Sequence, residues 1–386
     1  MSNTLTDLAP VLYSAAVEVS QEPVGFLDGI NLNFDDKGAA VGDTIKLPLA
    51  PAAASTDYTP AMATSDGTDK IADAVEVSIS KSVQTSWHLT GEQIRSLENG
   101  ASDKEWVRQL IAQGMRTLKN EAEAACADAA YKGASRAWGT EGTTPFASDI
   151  NDIAAVRKIL RDNGAPMADL QLVMDTAASY NLQKLAIYQQ AQAAGTDAER
   201  RNGIFGKQFG FSMRESGQVD YHTAGTASTG MDTDAVEPVG ETTLVMTGAD
   251  SGTVLAGDII QNTTQLAAGT DTNKYIVKSA TVSGAATGNV IINTPGLRVA
   301  SGAADEWNLG SSYRANVAFE RSAIVGAMRI PLIPENANMR QIPISAGNGM
   351  TFLLVEIVGD GMITWRLHLA YGFKVIQPEH VAILLG

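Results

Sequence analysis

The longest regular pattern of apolar and polar residues runs from Ser102 to Gly133. Apolar residues recur there at steps of three and four, which is the period of one face of an α-helix. The apolar stripe consists of Trp106, Leu110, Ile111, Met115, Leu118, Ala122, Cys126 and Ala129. Ser102 and Glu105 have the spacing of a capping box, and Gly133 offers a left-handed stop. The predicted helix is roughly 45 Å long at 1.5 Å per residue, which suggests a strut.

The pattern before this helix predicts an arm and a hairpin. A short helix is expected from Leu8 to Val19, capped by Thr6 or Asp7, and Pro23 follows it. The next stretch, VGFLDGINLNFDD, is extended and partly apolar. Such arms seldom pack alone, so it is either solvated or, as we favour, docked on a neighbouring subunit.

Residues 41–90 predict a long hairpin with a polar, Ala-rich tip. Apolar and polar residues alternate along its return strand, which places them on opposite faces. The apolar face consists of Val75, Val77, Ile79 and Val83, and the polar face of Glu76, Ser78, Ser80 and Ser82. A two-stranded ribbon is marginal in water. The apolar face therefore needs a cover, either from its own core or from another copy of the protein.

After the long helix, a helix–strand–helix order predicts α/β or α+β structure. Ser148 or Asp149 caps a helix that ends at Gly164, and LQLVM at 170–174 reads as a buried strand. Asp175 caps a third helix over TAASYNLQKLAIYQQAQA. Gly203, Gly206 and Gly210 then mark a turn beside a strand rather than a nucleotide-binding loop.

Composition changes near Tyr221, and residues 225–316 carry short β-like runs with turn signals every 8–12 residues. They predict a small β-sandwich or barrel inserted into the α/β domain, and we expect the rest of the chain to fold without it. The parent pattern returns from Val317, with strands that continue to the last residue and a hairpin turn at Gly359-Asp360-Gly361.

Composition and charge exclude some classes of function. The 386 residues are 44% hydrophobic with a net charge of −15, which argues against a groove that neutralises phosphates. Cys126 is the only cysteine, so no intrachain disulfide forms, and its place on the stripe predicts a small buried hydrophobe. No signal peptide or membrane span is predicted, and a soluble cytoplasmic product is expected.

Candidate chemistry is sparse. His88, His222, His368 and His380 lack the spacing of metal ligands and are expected to be surface or packed residues. Asp232, Asp234 and Glu237 lack the ligand order of a calcium loop, which favours a solvated acidic turn. We predict no catalytic, cofactor-binding or metal-binding residue, and a structural protein rather than an enzyme.

The order of parts and the C-terminal segment resemble the major capsid (coat) proteins of tailed phages. The segment contains Arg366, Leu369, Tyr371 and Gly372 in an R-x-x-L-x-Y-G pattern, followed by Pro378-Glu379-His380. His380 replaces the usual small residue of that family. The NGIFGKQFGF segment resembles the family's glycine-marked turn, and the β-insertion resembles the coat branch of short-tailed phages with an extra domain.

The resemblance implies an α+β capsid fold with an inserted small all-β barrel or sandwich. Its implied parts are an N-terminal arm (1–40), an extended hairpin loop (41–90), a peripheral domain (91–148) with spine helix 103–132, an axial α/β domain (149–224 and 317–386) and the inserted domain (225–316). The implied function is self-assembly, as hexamers and pentamers, into an icosahedral shell around double-stranded DNA. Implied partners are a scaffolding protein and a portal, with no sequence-specific DNA binding and no membrane. The implied location is the virion, assembled in the host cytoplasm.

Two alternatives stay open. One is an encapsulin-like bacterial nanocompartment shell, which would share the fold. The other belongs to a different class: an uncharacterised enzyme or a β-rich adhesin with a helical spacer.

Overall fold

A computed structural model of the chain describes residues 23–49, 73–98, 103–185, 206–227, 231–247, 252–281, 288–334, 338–346 and 350–386. Its α-helices are α1 (Phe26–Gly29), α2 (Gly91–Glu98), α3 (Asp103–Lys132), α4 (Asn151–Asp162), α5 (Thr176–Lys184) and α6 (Thr263–Ala268). Short 3₁₀ turns lie at Arg321–Ala323 and Pro378–His380.

The strands fall into two halves of the chain. Those before residue 225 are β1 (Asn31–Ala39), β2 (Thr44–Leu49), β3 (Asp73–Ser78), β4 (Lys81–Thr90), β5 (Arg136–Trp138), β6 (Leu170–Met174), β7 (Lys207–Gln208), β8 (Phe211–Glu215) and β9 (Tyr221–His222). Those after it are β10 (Met231–Thr233), β11 (Thr243–Thr247), β12 (Ile259–Asn262), β13 (Lys274–Ala280), β14 (Gly288–Ile292), β15 (Glu306–Leu309), β16 (Tyr313–Glu320), β17 (Ile324–Pro331), β18 (Met339–Ala346), β19 (Met350–Val358), β20 (Met362–Val375) and β21 (Val381–Leu385).

The long helix α3 matches the predicted stripe. The stripe residues buried to 1% exposure or less are Ile111, Met115, Leu118, Ala122 and Cys126. Burial raises the pKa of the Cys126 thiol, with a further contribution from the charge of Glu123. The prediction of a left-handed stop at Gly133 is wrong, because the left-handed glycines of the described chain do not include it. Gly133 is required for packing instead, since a Cβ there would lie 2.5 Å from Val375 Cγ2.

Helix α3 packs on a six-stranded sheet. The strand order is β1-β17-β20-β19-β18, and β4 pairs with β20 along Met362–Tyr371. Alternate residues of β20, namely Trp365, Leu367, Leu369 and Tyr371, join the helix stripe in the largest core cluster. Because every second side chain of a strand points to the same face, the C-terminal segment supplies one helix-facing row.

A second sheet and a barrel share one edge. Strands β5-β21-β16-β6-β8-β7 form the body sheet, in which the LQLVM strand β6 is fully buried. Helices α4 and α5 pack on this sheet around Phe211 and Leu172. Strands β12-β15-β10-β11-β14-β13 close into a six-stranded barrel, because β12 also pairs with β13. The fold class, α+β with an inserted β-barrel, is the one predicted.

Three further local predictions are wrong. Residues 24–30 form neither a solvated arm nor one that a neighbouring subunit buries: Phe26 and Ile30 are at most 1% exposed in the chain's own core, and β1 pairs in parallel with β17. The predicted return strand breaks at Ile79-Ser80, where β3 ends and β4 turns onto β20. The third helix ends at Lys184, because Leu185 is already extended.

Several predicted features lie outside the described residues. They are the helix from Leu8 to Val19, the hairpin tip at 50–72, Ser102, Gly203 and the residues after Leu185 of the predicted third helix.

Candidate assembly surfaces

The N-terminal segment is anchored to the long helix by one buried carboxylate. Glu123 lies on the side of α3 that faces α1 and is fully buried. Its Oε1 accepts from Gly25 N (2.8 Å), Phe26 N (2.7 Å) and Ser216 Oγ (2.8 Å), and its Oε2 accepts from Leu27 N (2.9 Å). Helix α1 has no side-chain cap of its own, so Glu123 caps it from a distance. Burial raises the pKa of the Glu123 carboxyl, and these hydrogen bonds oppose the rise.

The barrel enters and leaves the body at a single point. Ala224 N donates to Ser312 Oγ at 3.0 Å, so the two connections meet. Beside them, His222 on β9 lies 2.7 Å from a carboxylate oxygen of buried Asp258 at the start of β12. Tyr131 at the end of α3 contacts the other ring nitrogen at 3.4 Å. The body and the barrel therefore share one buried polar cluster.

Tyr313 completes the cluster. Its hydroxyl donates to Gly257 O at 2.7 Å, and its ring lies 5.3 Å from that of His222. Burial raises the pKa of both Tyr131 and Tyr313 well above the usual range for tyrosine. Two phenols and an imidazole are thus held, buried, between the body and the barrel.

A second set of contacts lies at the C-terminal end of α3. Asn293, in the barrel, donates to Lys132 O at 2.8 Å and to Ala134 O at 2.7 Å. Lys132 O is one of the carbonyls that a helix end leaves without an intrahelical partner, and Ala134 lies two residues beyond that end. Arg136 on β5 donates to Asn273 Oδ1 of the barrel at 2.8 Å, and β5 itself pairs with β13. The barrel therefore caps the spine helix and extends the body sheet.

The ribbon formed by β2 and β3 is held differently. It is a separate two-stranded antiparallel sheet, with no third strand at either edge in the described chain. At its base Val77 and Ile79 are each 1% exposed, and Val77 packs on Val325 and Ala327 of β17. The sequence left open whether the chain's own core or another copy covers this face, and the chain itself buries these two residues. Val75 and Val83, on the same predicted face, are half-buried.

One glycine lets the ribbon cross the sheet. A Cβ at Gly372 would lie 1.9 Å from Ser78 O, at the point where β3 gives way to β4. The glycine of the R-x-x-L-x-Y-G pattern is therefore required by a close backbone approach. Tyr371, the residue before it, lies under α3 with its hydroxyl 3.5 Å from Glu121 Oε1, and burial and that carboxylate raise its pKa to about 12.

The histidines do not converge. His88 is exposed on β4, His222 lies in the barrel cluster, His368 is half-buried on β20 and His380 contacts Gln377 Oε1 at 2.8 Å. Burial and the charge of Arg366 lower the pKa of His368. Sequence reasoning did not anticipate the partner of His222, since Asp258 lies 36 residues away and no local pattern links them.

The predicted solvated acidic turn is wrong in part. Asp234 is exposed, but Asp232 lies in strand β10 and Glu237 is buried, with its backbone bridged to Ser301. Within the described ranges, no group of three or more His, Cys, Asp or Glu side chains is arranged to hold a metal ion. Gly210 lies in the turn between β7 and β8. The predicted hairpin turn at 359–361 is confirmed, with Gly359 N donating to Met362 O at 2.9 Å.

Two open clefts lie on the described surface. One, of about 460 Å³, is lined by residues of 137–152 and by Lys274, which forms a 2.7 Å ion pair with Glu141. The other, of about 450 Å³, lies beside α3 near Glu121, Asp128 and Asp220. No described helix is long and apolar enough to cross a membrane.

Comparisons with known proteins give similarity at the level of structure. No family model matches the chain, and no curated protein matches it. A structure from Mycobacterium phage Che8 has 16% identity and a TM-score of 0.47, covering 89% of this chain and 84% of that one. The mature capsid of bacteriophage PhiM1 has 12% identity and a TM-score of 0.46, covering 94% and 86%. A virus-like particle from Pyrococcus furiosus has 8% identity and a TM-score of 0.42, covering 97% of each chain.

Proposed function

We propose that the chain is a major capsid protein whose copies assemble into an icosahedral shell around double-stranded phage DNA. The observation that carries the proposal is the β2–β3 ribbon. A two-stranded sheet is marginal in water by itself, and its open edges are templates for pairing with another chain. The ribbon is therefore a subunit part that a neighbouring copy completes, even though its base is covered by its own sheet.

The rest of the subunit suits repeated contacts. Glu123 fixes α1 on α3, and the barrel is fixed to the end of the same helix. A rigid subunit repeats one contact geometry, which a closed shell of identical chains needs. The net charge of −15 fits a container wall that does not grip its DNA.

The contacts refine the division into domains. Strands β17–β20 form one sheet with β4 under α3, so we assign residues 324–375 to the peripheral domain with the spine helix. Strand β16 pairs with β21 and β6, so the inserted domain ends before Tyr313 rather than at residue 316. The axial domain then consists of the body sheet with α4 and α5.

Hexamers and pentamers of the shell, a scaffolding protein and a portal complete the proposal, with assembly in the host cytoplasm. Sedimentation velocity and negative-stain electron microscopy of the full chain, alone and with the co-expressed scaffolding protein, test it. We expect megadalton closed particles. A chain that stays monomeric in both preparations would contradict the proposal.

The contents of the particles distinguish a phage capsid from a bacterial nanocompartment shell. Particles from infected or induced cells should contain DNA, seen as a high ratio of absorbance at 260 to 280 nm and as nuclease-protected fragments. Particles that instead hold a protein cargo and no nucleic acid would support the nanocompartment alternative.

A further inference from the structure

A cluster of positive charge lies on helix α4 and the neighbouring β7–β8 turn. Arg157 and Arg161 are one helical turn apart on α4, and Lys207 lies in β7. Arg161 and Lys207 are exposed and Arg157 is half-buried. We call these three residues the α4 basic patch.

The β7–β8 turn packs against the helix at this patch. Lys207 pairs with Ser212 and Gln208 with Phe211, so Phe209 and Gly210 form the tip. A Cβ at Gly210 would lie 3.7 Å from Arg157 Nη2, which places the tip beside that guanidinium. Residues four apart on a helix have Cβ atoms about 5–6 Å apart, so Arg161 adjoins the same surface.

The charges of the patch are not neutralised by the described chain. Within the part of the chain that the structure describes, no hydrogen bond or ion pair reaches the side chain of Arg157, Arg161 or Lys207, and Arg157 Nε is buried without an acceptor. By contrast, Lys158 on the same helix lies 2.8 Å from Asp162. Like charges one turn apart also repel each other. An acidic partner would relieve this repulsion.

An aromatic side chain is presented at the same place. Phe209 is 41% exposed and has a φ of +50°, a left-handed conformation that is uncommon for a residue other than glycine. An exposed apolar ring beside arginines is the composition of a protein interface rather than of an ordinary surface.

The acidity of the chain makes a second copy a suitable partner for this patch. It has 43 Asp and Glu residues against 28 Lys and Arg, so a second copy is rich in carboxylates. We propose that the α4 basic patch binds a carboxylate-bearing surface of a second copy, with Phe209 in the contact. This inference rests on the proposed shell function and names one contact within it. The two surfaces differ, so the contact is heterologous, the type that closes rings of subunits.

Charge reversal tests the contact. Arg157→Glu/Arg161→Glu should leave the melting temperature of the subunit unchanged, since the described chain offers these side chains no partner to lose. It should raise the subunit concentration needed for assembly by about tenfold or more, because like charges then face each other. Arg95→Glu/Lys278→Glu, two exposed residues elsewhere, changes the net charge equally and should assemble like the wild type.

The outcomes separate the two claims. Assembly of the Arg157→Glu/Arg161→Glu protein at the wild-type concentration overturns the contact and leaves the shell function standing. Failure of the wild-type chain to assemble overturns the shell function. Binding of a fluorescein-labelled oligonucleotide by wild-type subunits, lost in the reversed variant, would assign the patch to nucleic acid and overturn the proposed partner.

A cross-link identifies the acidic partner directly. The Arg157→Lys/Arg161→Lys protein is assembled from equal amounts of ¹⁴N- and ¹⁵N-labelled chains and treated with a water-soluble carbodiimide. Amide bonds between the two introduced amines and Asp or Glu residues should appear in mixed-isotope peptide pairs. Cross-links found only within one isotope would contradict a contact between copies.

Discussion

The barrel and the ribbon leave the body in different ways. The barrel departs and returns where Ala224 meets Ser312, and it is then fixed again at the end of α3 by Asn293 and along β5 by strand pairing. The ribbon is held at its base by Val77 and Ile79, and both of its edges are open in the described chain. The barrel is thus packed into the fold of the chain, whereas the proposed shell function leaves the ribbon to be completed by another copy. A domain that is inserted in the sequence can therefore be an integral part of the fold.

Removal of the barrel should have the largest effect. Replacing residues 225–311 with Gly-Ser-Gly bridges two chain ends that already touch, so strain of the linker is not the cause of any loss. The change leaves Tyr131, His222 and the end of α3 without their partners. We expect loss of cooperative thermal unfolding by circular dichroism, contrary to the expectation from the sequence.

Deletion of the hairpin tip is the matched control for deletion of the barrel. Replacing the hairpin tip at 50–72 with a short turn should leave the thermal transition of the subunit intact, because the ribbon has its packing at the base. A folded barrel-deletion protein with a native-like transition would show that the barrel is an appendage after all.

High pH should have the next largest effect, at the barrel joint formed by Tyr131, His222, Asp258, Asn293 and Tyr313. Burial raises the pKa of Tyr131 and Tyr313 in the joint and of Tyr275 on β13 of the barrel, whereas tyrosines of the unfolded chain ionise at about pH 10. The unfolded chain therefore releases protons first, and the stability of the fold should fall as pH rises above about 10.

Urea unfolding between neutral and alkaline pH, with tyrosinate absorbance recorded in parallel, measures this fall. Tyr313→Phe should make the fall with pH shallower, because one raised pKa is removed. If the stability of the wild type and of Tyr313→Phe falls equally steeply with pH, ionisation of Tyr313 does not contribute to the alkaline loss of stability.

Loss of the cap on α3 should have a moderate effect. Asn293→Ala removes two hydrogen bonds to carbonyls near the helix end, and buried acceptors left without donors lower stability by about 1–3 kcal/mol. Asn289→Ala is the control, since Asn289 is exposed on β14 and should be neutral. Denaturant unfolding measures the free energy of unfolding of both variants. An equal effect of the two changes would mean that Asn293 does not stabilise the joint.

The smallest effects should come from the ribbon. Val77→Ala removes buried methyl groups and should lower subunit stability by about 1–2 kcal/mol. Lys46→Ala breaks a 3.2 Å ion pair with Glu76 whose two side chains are 68% and 50% exposed, and such pairs contribute about 0–1 kcal/mol. A larger loss from Lys46→Ala than from Val77→Ala in denaturant unfolding would mean that the ribbon is held by charge rather than by its buried base.

Periodic features were predictable from the sequence. The stripe of α3 and the strand at 170–174 repeat at the helix and strand periods over enough residues to identify them. Phe26–Ile30 was missed because its burial depends on Glu123, nearly a hundred residues away, which caps α1 without any local signal. The break between β3 and β4 was missed because apolar and polar residues continue to alternate through Ile79-Ser80. The strand breaks there, where its backbone passes close to Gly372, which is distant in sequence.

The barrel joint was not predictable for a related reason. Asn293, His222 and Asp258 are single polar residues in unremarkable segments, and each acquires its role from a partner distant in sequence. The sequence located a β-insertion by composition, but composition carries no information on how an insertion is attached.

Hydrogen exchange on free subunits and on assembled particles shows whether a neighbouring copy completes the ribbon. We expect the amides of β2 and β3 to exchange quickly in the subunit and to become protected on assembly, because another copy then covers the ribbon. Amides around Gly257 and Val277 at the barrel joint should be protected in both states. Ribbon amides that exchange equally fast in subunit and particle would contradict the claim that a neighbouring copy completes the ribbon.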